Sequence, residues 1–245
     1  GRSDFVKTAF RPSAFTLIEL LVVIAIIGIL ASLILASVVK VKTNALRAQA
    51  RIEMESIASA VSRYESKYGR LPVLPGVPTG AEDVTFGWAE AGPAPTTVIP
   101  TNAAIIAILM DEVSYRNGQA TPNQGHLLNS QQIVFLNAKR TSELDAPGVG
   151  PDGEYRDPWG QPYIISLDYS LNDRCRDAVY SRAEVSQKTG QAGLNGLFNP
   201  IPAGTSDDYE YSGRVLVWSK GQDKRAFKNK KANLEENKNN LLNWQ

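Results

Sequence analysis

Residues 15–39 read FTLIELLVVIAIIGILASLILASVV. Glu19 is the one charge in this run, and Thr16, Ser32 and Ser37 are its only other polar side chains. As a helix the run is about 37 Å long, enough to cross a hydrocarbon core of ~30 Å with some tilt. Within lipid the backbone must satisfy its own hydrogen bonds, so a single segment that crosses is a helix. A secretory signal peptide has a shorter apolar core, ~7–15 residues, followed by a small-residue cleavage site. Ile34-Leu35-Ala36 is the nearest approach to such a site here. A plain anchor is the other ordinary reading, with Glu19 snorkelling to the interface. Arg2, Lys7 and Arg11 precede the run, and Lys40, Lys42, Arg47 and Arg51 follow it. The positive-inside rule therefore leaves the orientation open.

Upstream, residues 1–14 form a short basic leader in which Pro12 stops helix from extending far. Downstream, Ala50, Met54, Ile57, Val61, Tyr64 and Tyr68 recur at alternating spacings of four and three. That is one apolar stripe on a helix, with Arg47, Arg51, Glu55, Arg63 and Glu65 lying off it. Gly69 suits the position after a helix end, and Pro72 prevents its resumption. The prediction is one helix over 15–68, about 80 Å long. Residues 15–39 form its transmembrane half and 40–68 its amphipathic half, packed on the sheet of a head spanning 69–245.

The string from Phe15 to Ala31 resembles the N-terminal signature of type IV pilins and of the pseudopilins of type II secretion. In that family a membrane aspartic peptidase cuts just before the Phe and the new N-terminus is methylated. The resemblance therefore assigns the cut to the Ala14–Phe15 bond, with Ala14 standing where the family usually has Gly. It assigns Glu19 to filament assembly, opposite the N-terminal amine of a neighbouring subunit. It also implies the fold, α+β and pilin-like, with the long helix on a small antiparallel sheet.

The remaining chain is compatible with one modest head. Across 245 residues the net charge is +1, with 26 Lys and Arg against 25 Asp and Glu, which gives no support for nucleic-acid binding through a basic face. Cys175 is the single cysteine, so no internal disulfide forms. Residues 71–100 are rich in Pro and Gly and read as a surface loop. Residues 101–115 read as a second helix, capped by Thr101 or Asn102 and burying Ile105, Ile106, Leu109, Met110 and Val113. Ile133-Val134-Phe135-Leu136 fits a helical turn or a strand. Tyr163–Leu167 and Arg214–Trp218 read as strands, and Ala178–Val185 as a further strand. Asp157-Pro158-Trp159-Gly160-Gln161-Pro162-Tyr163 resembles a string of the major pseudopilins that leads into their antiparallel sheet.

No catalytic constellation emerges. His126 is the single histidine, and H-E-x-x-H, G-x-S-x-G and C-x-x-C are absent. A Cys175–His126 dyad is the one nucleophile–base pair that the composition permits. Gly148–Gly153 matches G-x-G-x-x-G, but Pro151 interrupts it and Asp157-Pro158 follows where a helix should begin.

The resemblance thus implies a structural subunit, not an enzyme: a pseudopilin of a type II secretion system. It would sit in the bacterial inner membrane with one span and its head in the periplasm, then be extracted into a helical homo-oligomeric filament. Its partners would be the prepilin peptidase, the inner-membrane assembly platform and the ATPase, with no nucleic acid. The alternatives are a type IV pilus pilin for adhesion, motility or DNA uptake, and a membrane-anchored exported enzyme. The residues require no cofactor, and calcium is the one candidate ligand. Ser219-Lys220-Gly221-Gln222-Asp223 and Asn239–Trp244 resemble the pseudopilin pattern that wraps one calcium, which implicates Ser219, Asp223 and Asn240. Asn239 and Asn240 replace acids of that pattern, and Lys224, Lys228, Lys230 and Lys231 crowd the loop. Both changes weaken a divalent site, and a metal-free loop pinned by Trp244 is the competing reading.

Overall fold

The computed structural model describes residues 15–74, 82–88 and 101–245, with the side chains of 33–37 outside the description. The leader, with Ala14, and most of the Pro-rich 71–100 loop lie outside the described residues. Two compact units meet in sequence between Asn44 and Ala45.

Helix α1 runs unbroken from Leu17 to Tyr68. In the first unit its large apolar side chains stand open, from Leu17 through Leu30 and again at Val38, Val39 and Val41. Among the described residues no helix is long and apolar enough to cross a membrane. The expected span includes 33–37, whose side chains are outside the description. Gly69 closes the helix at φ +67°, its N–H donating to the Glu65 carbonyl.

In the second unit the predicted stripe is the buried face of α1: Ala50, Met54, Ile57, Val61 and Tyr64 sit in the main core. Beyond α1 the described elements are β1 (Val84–Phe86), α2 (Ala103–Leu109), β2 (Gly148–Val149), β3 (Tyr155–Arg156), β4 (Ile164–Leu167), β5 (Arg174–Cys175), α3 (Ala183–Ser186), β6 (Gln187–Thr189), β7 (Ala192–Gly193), β8 (Tyr211–Ser212), β9 (Val215–Ser219) and β10 (Leu241–Leu242). The central sheet is antiparallel, in the order β1-β4-β9-β10. Ile165, Leu167, Val217 and Leu241 join the α1 core, while Ile164, Leu216, Trp218 and Leu242 join a second core with Trp88, Tyr180 and Trp244. Covering both faces explains why β4 and β9 read as nearly continuous apolar runs instead of alternating ones.

Four sequence expectations give way. Helix α2 stops at Leu109, well short of Tyr115. Asp111 takes a left-handed φ of 57°, and its carboxylate is held by Asn123 and by His126 Nδ1 at 2.8 Å. Neither Asn102 nor Thr101 caps the helix through its side chain: the Asn102 amide bonds the carbonyls of Tyr155 and Tyr163 and accepts from Tyr155 N. Ala178–Val185 is not a strand. The buried Asp177 carboxylate accepts from the N–H groups of Val179 and Tyr180, and this turn leads into α3. Ile133–Leu136 is neither helix nor strand; Phe135 and Leu136 donate to the Leu109 carbonyl and lie against α1.

Candidate functional site

Phe15, the expected first residue after processing, is exposed. Thr16 and Glu19 form a reciprocal cap on α1. Thr16 N and Thr16 Oγ1 donate to Glu19 Oε2 at 2.8 and 2.7 Å, and Glu19 N donates back to Thr16 Oγ1 at 3.3 Å. This is the S/T-x-x-E capping box, and Thr16-Leu17-Ile18-Glu19 carried that signal in plain sequence. Glu19 is therefore not a carboxylate without a partner. Both bonds converge on Oε2, and among the described residues Oε1 has no donor.

The C-terminal loop holds the candidate calcium ligands. Ser219 Oγ donates to Asp157 Oδ2 at 2.5 Å and accepts from Gly221 N at 2.9 Å. Asp223 Oδ2 accepts from the Asn239 amide at 2.8 Å, and its Oδ1 from Arg225 N at 3.4 Å. Asn240 meets the Tyr180 hydroxyl at 2.8 Å. With the Asn240 oxygen toward Tyr180, its nitrogen reaches the carbonyls of Lys220 and Arg225 at 3.3 Å. We adopt that orientation because it gives both ends of the amide proper partners. Lys220 adds an ammonium 5.3 Å from the centre of the Trp88 ring, and burial pushes its pKa down.

Calcium takes roughly 6–8 oxygen ligands, and we propose that this loop is held without it. The three named side chains are already committed to protein partners, and among the described residues no three His, Cys, Asp or Glu side chains gather. Amide and hydroxyl bonds hold the loop where the family pattern would use acids. On this geometry, millimolar calcium or a chelator leaves the Tm of the full chain in detergent unchanged. A calcium-dependent rise in Tm that Asp223→Ala removes would overturn this.

The Asp157 bond also explains the D-P-W-G-Q-P-Y string. Asp157 Oδ1 accepts from Trp159 N and Gln161 N, both at 2.9 Å, which folds the turn entering β4. Gly160 has φ +83°, and a Cβ there would meet the Asp145 carbonyl oxygen at 2.3 Å. Oδ2 then ties this turn to the end of β9 through Ser219. The sequence offered the two motifs separately; their junction is a contact 62 residues apart. Tyr163 at the end of the same string donates to Glu53 on α1 at 2.6 Å, so the turn is anchored to the helix as well.

Catalytic candidates do not assemble. His126 pairs with Asp111. Cys175 is fully buried among apolar side chains, and its thiol is pushed well up by burial, the opposite of an activated nucleophile.

Residues 10–35 match the family described as the prokaryotic N-terminal methylation motif. The chain is 35% identical over 72 residues to the type II secretion system core protein G of Pectobacterium carotovorum subsp. carotovorum. That match takes in 29% of this chain and 46% of the relative, so the chain spans less than half of the relative's length. No solved structure matches the chain. The methylation motif at the head of α1 and this relative thus make the chain similar, over part of its length, to the pseudopilins of type II secretion.

Proposed function

We propose that the chain is a structural filament subunit, a pseudopilin of a type II secretion apparatus, held in the inner membrane until it is drawn into a filament. The observation that carries this is the open apolar face of α1 from Leu17 to Leu30, which lies within the methylation motif and carries Glu19 as its one charge. An apolar face of that extent needs lipid or neighbouring helices to cover it. Lipid covers it in the free subunit, with residues 15–39 as the span and the head in the periplasm; neighbouring copies cover it in the filament. The relative with secretion in its name favours a secretion pseudopilus over a type IV pilus, which shares the motif.

Glu19 supplies the register. Oε2 is held by the chain's own Thr16, and Oε1 is open to the Phe15 amine of a neighbour. That amine comes into being only when the leader is cut, so processing switches assembly on. Ala14 lies outside the described residues, and its role rests on the motif. Mass spectrometry of assembled material should recover a first peptide that begins at methylated Phe15. Recovery of intact peptides that bridge Phe10 to Thr16 would overturn the reading.

A further inference from the structure

An open groove of about 550 Å³ runs along the exposed side of α1 on the head. Phe135 and Leu136, both buried, form its floor, and Ile52 stands 68% exposed on its wall. Arg51 and Arg63 also line it, about 18 Å apart along the helix axis. Arg63 donates to the Phe135 carbonyl, and Arg51 has no salt-bridge partner among the described residues. Glu55 is the one acid in the lining, so two guanidinium groups outweigh it. The groove is an apolar seat with a basic rim.

The same chain carries residues of complementary chemistry. Between Arg140 and β2 a loop presents Glu143, Leu144 and Asp145, all exposed, with Leu144 at 55%. Neither carboxylate has a salt bridge or side-chain hydrogen bond among the described residues. Other exposed leucines of the head lack this setting. Leu127 and Leu171 have no acid on both sides, and the acids after Leu234, Glu235 and Glu236, are taken up by Lys230.

We propose that the groove receives the Glu143–Leu144–Asp145 loop of a second copy of this chain. Leu144 covers Phe135 and Ile52 while the two acids meet the arginine rim. The inference rests on the filament reading and names one of its head-to-head contacts. Knob and groove are different parts of the surface, so each copy offers its knob to one neighbour and its groove to another. A heterologous contact of this kind builds an open helical array instead of a closed dimer. A three-residue knob buries less than the ~1,000 Å² that a free-standing interface needs. The contact therefore fixes register inside an assembly whose main cohesion lies in α1.

The test is cysteine cross-linking in filaments of the full chain; native Cys175 is buried and stays out of the reaction. A chain with both Ser59→Cys and Leu144→Cys should give a ladder of multimers on oxidation. Co-expressed single-cysteine chains should give only the mixed dimer. Arg51→Glu should reduce that dimer at least tenfold, and Glu143→Arg in the partner chain should restore it. Filaments that form normally but yield no mixed dimer would overturn this contact and leave the filament reading standing. Failure of the unmodified chain to form filaments would overturn both.

Discussion

Replacing Glu19 with Ala or with Gln leaves the protein in the membrane and reduces filament yield roughly a hundredfold or more. The structure shows Glu19 in one role, the cap on α1, and the proposed assembly role is distinct from it. Capping of α1 is worth about 1 kcal/mol, too little to undo a helix that continues into the head. The pair between Glu19 and a neighbour's amine would form in an apolar setting, where removing one partner costs about 3–5 kcal/mol. At ~1.4 kcal/mol per tenfold, that is two decades or more in the assembly equilibrium. Gln can still complete a capping box, so Glu19→Gln removes the charge and keeps the cap. Counting filaments by electron microscopy, with membrane content as the control, reads the outcome. Wild-type filament yield in Glu19→Gln would reduce the residue to a cap and refute its role in register.

The second large effect is on the stability of the head. Asp157→Ala orphans Trp159 N, Gln161 N and the Ser219 hydroxyl together. Ser219 is buried and the two amides are half-buried; at ~1–3 kcal/mol for an unsatisfied buried group and less for the amides, a loss of about 3 kcal/mol is expected. For a chain of this size that lowers Tm by roughly 10 °C. The pH dependence carries a signature. Burial pushes the Asp157 carboxyl above the ordinary carboxylate range, with the nearby Glu53 charge pushing the same way and the three hydrogen bonds pulling back. The folded chain thus holds this proton more tightly than the unfolded chain. The resulting stability is full below the unfolded pKa and is lost as pH rises through the folded one. Melts of the full chain in detergent from about pH 4 upward should show that loss in the wild type and not in Asp157→Asn. Equal slopes for the two would show that the carboxyl does not titrate differently on folding.

Local pattern by itself determined α1 almost to the residue. The apolar run after Phe15, the four-and-three stripe from Ala50 to Tyr68, and Gly69 followed by Pro72 are properties of neighbours along the chain, and helix depends on neighbours. Strands β4 and β9 were legible because burial on both faces leaves an unbroken apolar string. The Phe15–Ala31 signature likewise carried the resemblance to the pseudopilins, and the methylation motif matches there. What the sequence could not determine depends on which distant groups the sheet brings together. Helix α2 ends where Asp111 finds Asn123 and His126. Residues 178–185 turn because Asp177 is buried beside Ser166 and Trp218, and its remaining lone pairs take the backbone that follows. Ser219, Asp223 and Asn240 find Asp157, Asn239 and Tyr180 as partners, which no local pattern announces. A side chain's type states which bonds it is able to make, but in a packed interior only the tertiary fold determines which partner arrives first and uses them.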